Sequence, residues 1–135
     1  MALQYSVTVR NAQLDAVETT VGTAPLLRIY SGSAPANCAA AASGTLLAEA
    51  TLPSDWMAAA SSGSKALSGT WQDASANAPG TAGHWRLYDS SGTTCHAQGT
   101  VTATGGGGDM TLDNTSIASA QSVTITSFTI TAGNA

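Results

Sequence analysis

Charge is what this chain has least of. Its 135 residues include only four Lys or Arg and eight Asp or Glu. An ordinary soluble domain is roughly a quarter Asp, Glu, Lys and Arg. The mixed, heavily charged surface that keeps most proteins dispersed is therefore largely missing. The four basic residues, Arg10, Arg28, Lys65 and Arg86, are scattered. Phosphate neutralisation needs clustered Lys and Arg, so a nucleic-acid partner is not expected. No apolar run approaches the ~20 residues that cross a bilayer, so no membrane span is expected either. No basic segment followed by an apolar stretch opens the chain, which predicts no signal peptide and synthesis in a host cytoplasm.

Bulky aliphatics are scarce too. Leu, Ile, Val and Phe together number only 21. That poverty usually marks disorder, but disorder also brings high net charge. The net charge here is −4, so the chain reads as folded with a thin core. A thin core leaves little margin over the entropy of ordering the backbone. Burial against neighbouring subunits would supply the difference. Cysteine is limited to Cys38 and Cys95, far apart in sequence. A reducing compartment keeps them as thiols, and two small buried apolar side chains is the favoured reading. If they meet in space, they can close after leaving the cell.

What is present is small. Ala, Thr, Ser and Gly make up 75 residues. Faces built from them pack closely on copies of the chain or on a neutral partner, because little charge has to be desolvated. The composition favours an assembly or binding protein over an enzyme.

Patterning predicts one domain, all-β with one N-terminal helix. Val7, Leu14, Val17 and Val21 share a stripe at helical spacing, with Leu3 in line, predicting a helix over 7–21. Ser6 or Thr8 is its expected cap and Gly22 its stop. From 26 to 132 the signal is strand. Residues 26–30, 45–52, 84–88, 95–104, 110–112 and 122–131 are candidates, with long loops over 34–44 and 53–79. In the last strand Val123 and Ile125 are odd-numbered, whereas Phe128 and Ile130 are even. A bulge near Thr126 and Ser127 would restore one apolar face. Leu27-Arg28-Ile29-Tyr30 echoes Trp85-Arg86-Leu87-Tyr88. Each places Arg and Tyr on one strand face, as neighbours in one sheet would.

Catalytic signatures are absent. There is no G-x-S-x-G elbow. Gly105 to Gly108 lacks the ending of a phosphate loop. His96 beside Cys95, with Cys38 elsewhere, gives too few ligands for a metal and no C-x-x-C pair. His84 reads as an exposed or edge position on a strand. Asp109 and Asp113 lack calcium-loop spacing and read as turn carboxylates. No catalytic, cofactor or metal residue is assigned. Trp56, Met57 and Trp71 in the long loop, with Tyr30 and Tyr88, are the bulky groups expected either to plug the loop onto the core or to anchor an interface.

Several segments carry a resemblance. They are Val9-Arg10-Asn11-Ala12-Gln13-Leu14-Asp15-Ala16-Val17-Glu18, Leu27-Arg28-Ile29-Tyr30-Ser31-Gly32-Ser33-Ala34-Pro35, Leu46-Leu47-Ala48-Glu49, Gly105-Gly106-Gly107-Gly108-Asp109-Met110 and Thr129-Ile130-Thr131-Ala132-Gly133. Together they resemble short virion structural proteins of tailed bacteriophages, of the capsid decoration (cement) type. The resemblance implies a β-sandwich or jelly-roll-like fold. It also implies self-association as a dimer or trimer, and binding to the phage major capsid protein on the outer capsid surface. It transfers no catalytic residues. The alternative is a tail or fibre component that stacks exposed aromatics on a host glycan.

Overall fold

The computed structural model describes residues 2–133. It is mostly β, with one helix and a large mixed sheet. The helix, α1, runs Val7–Val21. Ser6 holds extended backbone, and its Oγ accepts from the Val9 N–H at 3.2 Å. Gly22 ends the helix at φ +90°, donating its N–H to the Glu18 carbonyl at 2.9 Å. Both ends thus follow the expected capping chemistry.

Ten strands follow: β1 (Leu26–Ser31), β2 (Leu46–Thr51), β3 (Ser64–Ala66), β4 (Trp71–Asp73), β5 (Gly80–Tyr88), β6 (Cys95–Ala103), β7 (Met110–Leu112), β8 (Ser116–Ile117), β9 (Val123–Ile125) and β10 (Ser127–Thr131). The large sheet runs β2-β1-β5-β6-β7-β10-β3, with β8 paired to β5. Only β6 and β7 are parallel. β4 and β9 form a separate ribbon. Its Val123 and Ile125 line one small void with Leu27, Ile29, Ala48 and Ala50 of β1 and β2.

Two expectations are corrected here. The segment 122–131 does not carry a bulge. It breaks at Thr126, so that β9 pairs with β4 and β10 pairs with β7 and β3. The phase change marks the residue at which the chain passes from one sheet to the other. The segment 53–79 is not all loop, since it contributes β3 and β4.

The core is built around an aromatic chain. Trp56 lies 5.9 Å from Trp71, Trp71 lies 5.4 Å from Phe128, and Phe128 meets Trp85 edge-on at 5.2 Å. Aromatic pairs at these separations add to their area burial.

The helix docks by its polar side. Arg10 donates through Nε to the Ala132 carbonyl at 2.6 Å. Asn11 accepts from the Gly63 N–H at 2.9 Å. Lys65 of β3, only 2% exposed, reaches Asp15 at 2.7 Å and Glu18 at 2.8 Å. Of the apolar stripe only Leu14 and Val21 are buried. Val7 and Val17 stay exposed, against the expected orientation.

Burial pulls the Lys65 ammonium down, and the hydrogen bonds it donates to Asp15 and Glu18 outweigh that, leaving a raised pKa. The Lys65 bond in turn holds the Asp15 carboxyl below its ordinary value. A carboxylate depressed in the folded state contributes stability above its unfolded pKa, and that stability is lost as pH falls through the folded one. Lys65→Ala is expected to cost roughly 2–3 kcal/mol in urea unfolding at neutral pH, because it strips a buried stem and two ionic partners. In Lys65→Met the loss of stability below about pH 4 should be shallower than in the natural chain.

Candidate functional site

The outer face of the large sheet carries the densest polar chemistry. Register places Arg28 of β1 directly opposite Arg86 of β5. Glu49 lies across from Arg28 on β2, and Gln98 across from Arg86 on β6. One row thus crosses four strands as Glu49-Arg28-Arg86-Gln98. Like charges facing each other across strands repel, so each arginine needs compensation. Arg28 finds it in Glu49, by a 2.5 Å Nε–Oε2 bond. Burial works against the Arg28 charge, but Glu49 outweighs it and raises the pKa. Arg86 is 1% exposed. Its Nη2 donates to the Cys38 and Ala40 carbonyls at 2.8 and 2.9 Å. The Tyr88 ring lies 4.6 Å from the Arg28 guanidinium carbon and 5.5 Å from that of Arg86. Such cation–π contacts recover part of the cost of desolvating the charge.

Beside this row His84, expected at an exposed or edge position, is instead fully buried on β5 between β1 and β6, where it stacks on Tyr30 at 5.2 Å. Its Nδ1 sits 2.9 Å from the Gly32 carbonyl, which can only accept, so Nδ1 carries the proton. Burial, and then the Tyr88 hydroxyl, push the Tyr30 phenol up. The 34–44 loop folds over the face. Gln98 Nε2 donates to the Pro35 carbonyl at 2.7 Å, a third tether beside the two from Arg86. A cavity of about 340 Å³ remains, lined by Arg28, Tyr30, Arg86, Tyr88, Cys38 and Cys95 among others.

The bulky residues expected at an interface lie elsewhere than the surface. Trp56, Met57 and Trp71 are 1–2% exposed and belong to the core. Trp56 donates its indole N–H to the Gly22 carbonyl at 2.9 Å. Of the two roles expected for them, the plug is the one the packing corrects to. An anchor for a partner needs accessible area, and these side chains have spent theirs on the chain itself. Tyr30 and Tyr88 are 6% and 7% exposed and belong to the polar face. A glycan platform of exposed indoles is likewise lacking, since Trp85 is also buried.

The remaining candidates do not converge. His96 lines a separate groove of about 280 Å³ with Gln13, Ala16, Val17, Thr20 and Val21 of α1. Asp109 accepts from the Thr100 N–H at 2.9 Å and serves the β6–β7 connection. Asp113 is exposed at the end of β7. Cys38 and Cys95 do come together on the cavity wall. Among the described residues no group of three or more His, Cys, Asp or Glu could hold a metal ion. No helix there is long and apolar enough to cross a membrane.

Large apolar side chains stand exposed at the N-terminal end of the chain. Leu3 is 69% exposed, Tyr5 43%, Val7 48% and Val9 41%. They occupy the arm before α1 and its first turn. The sequence signal was there: apolar side chains recur every second residue from Leu3 to Val9, a period that no helix face can bury together.

Comparison with known protein families, with curated proteins and with solved structures found no match to this chain.

Proposed function

We propose that this chain is a non-enzymatic virion structural protein of a tailed bacteriophage that binds the outer capsid surface and stabilises the head. The observation that carries the reading is the apolar N-terminal arm. Leu3, Tyr5, Val7 and Val9 stand exposed on a chain that has very few large apolar residues to spare. Exposed apolar area on a protein with a thin core supports an interaction site. The low charge of the rest supports close contact with a lattice, since little has to be desolvated. The resemblance of its segments to capsid decoration proteins supplies the partner, the major capsid protein, and the dimeric or trimeric state. A jelly-roll-like sandwich belongs to the same reading, supported by one core cluster that draws residues from both the large sheet and the β4–β9 ribbon.

The mechanism is mass action. A subunit that bridges adjacent capsomers binds the assembled lattice better than free capsid subunits, and so stabilises it. The rival placement, a tail component stacking exposed aromatics on glycan, has less support, since all three indoles are buried and Tyr5 is the exposed aromatic.

The test is heating. Particles carrying the protein should release DNA at a higher temperature than particles stripped of it. Equal release temperatures would overturn the reading. Val7→Asp combined with Val9→Asp should weaken binding to stripped particles roughly 100-fold, from lost burial and the desolvation of two carboxylates. Both positions are already exposed, so the melting temperature of the isolated protein should hardly move.

A further inference from the structure

We propose that Cys38 and Cys95 form an oxidative modification site, closing to an intramolecular disulfide by exchange with a small disulfide such as oxidised glutathione. Nothing in this depends on capsid binding. The two are the only cysteines of the chain, and both are free and partly exposed. They are 57 positions apart (95 − 38), yet their thiols lie within hydrogen-bonding reach on one cavity wall.

The fold brings them together by two routes. Cys95 opens β6, opposite Tyr88, just after the β5–β6 turn. That turn is fixed by Asp89, whose Oδ1 accepts from the Thr93 N–H at 2.9 Å and from Ser91 Oγ at 2.8 Å. Cys38 sits on the 34–44 loop, which Gln98 holds by the Pro35 carbonyl and Arg86 by the carbonyls of Cys38 and Ala40. The loop is therefore pinned on both sides of the thiol. The cavity beside the pair admits a small reagent.

The exchange balances in two steps. The Cys95 thiolate attacks one sulfur of the oxidised glutathione and expels a glutathione thiolate. The Cys38 thiolate then attacks the Cys95 sulfur of the mixed disulfide and expels the second glutathione thiolate. The two protons leaving the protein neutralise the two expelled thiolates. The protein loses two electrons and the glutathione disulfide gains them. Burial, and then the adjacent Cys95, push the Cys38 thiol up, which disfavours Cys38 as the opening nucleophile. The reduced form persists in a reducing cytoplasm, and the bond forms once the protein meets an oxidising medium.

The closed bond would staple the 34–44 loop to β6 and shrink the mouth of the polar cavity. It would also remove loop entropy from the unfolded chain over a long span, raising the melting temperature by roughly 10 °C.

The experiment is intact-mass spectrometry of the full chain after incubation with oxidised glutathione. The expected product is monomeric, lighter by two hydrogens and inert to maleimide until reduced. A digest should yield one cross-linked peptide pair joining Cys38 to Cys95. Cys38→Ser and Cys95→Ser should each stop at a mixed disulfide with glutathione. A natural chain that retains glutathione on either cysteine without the internal cross-link overturns the proposal. So does cross-linking confined to dimers.

Discussion

Trp71→Ala is expected to lower the unfolding free energy by about 4 kcal/mol, read from the shift in urea midpoint at constant slope. Trp71 is 1% exposed and sits in the middle of the aromatic chain, touching Trp56 on one side and Phe128 on the other. Truncation leaves a cavity the size of an indole between Trp56 and Phe128. The indole N–H also donates to the carbonyls of Trp56 at 3.1 Å and Ser68 at 3.2 Å. The Trp56 carbonyl keeps a second donor, the Ser68 N–H at 2.9 Å, so it is not orphaned. Most of the loss is therefore packing. Trp71→Phe should retain the ring contacts and cost about 1–2 kcal/mol. Native domains are stable by only about 5–15 kcal/mol, so the alanine variant should melt well below the natural chain. A variant that kept its midpoint but lost affinity for capsids would return Trp71 to an interface role.

The same residue shows where sequence reading succeeds and where it stops. Local chemistry was legible. Ser6 and Gly22 bound α1 at the expected residues, because capping depends on neighbours three or four positions away. Met110–Leu112 came out as read, and the echo of Arg28 and Tyr30 with Arg86 and Tyr88 marked two strands that are directly paired. What failed was the choice between faces. Of the stripe Leu14 and Val21 are buried as expected, but Leu3, Val7 and Val17 stay exposed, and Arg10, Asn11, Asp15 and Lys65 add polar contacts that the pattern did not show. Those partners lie more than 50 positions away or close to it, beyond any periodicity. β3, β4 and β8 are two or three residues long and hold too few alternations to register. The tryptophans looked available because the segment carrying them looked like loop. The polar face was half visible: strand parity grouped Arg with Tyr, but only the register puts Glu49 and Gln98 at the two ends of the row.

Gly83→Ala should be the most damaging single-methyl change on the large sheet, at about 3 kcal/mol or more. Between Tyr30↔His84 and Ser31↔Ala82 the β1–β5 register shifts, and Gly83 is the residue left without a partner. At this bulge the chain leaving β1 passes directly over it. A Cβ on Gly83 would fall 2.2 Å from the Gly32 carbonyl oxygen and 2.8 Å from the Gly32 nitrogen. Both obstacles are backbone, so no side chain can swing aside, and relief means separating the two strands. Separation there would also break the bond between His84 Nδ1 and the Gly32 carbonyl, and with it the seating of Tyr30. The other partner of this contact provides the comparison. Gly32 has φ +75° and nothing within 4 Å of where its Cβ would stand. Gly32→Ala thus meets only the left-handed backbone penalty, about 1 kcal/mol. Urea midpoints of the two variants should differ accordingly, with Gly83→Ala the lower. Equal midpoints would mean that the strands yield at the bulge, and that the register shift does not hold the polar face in place.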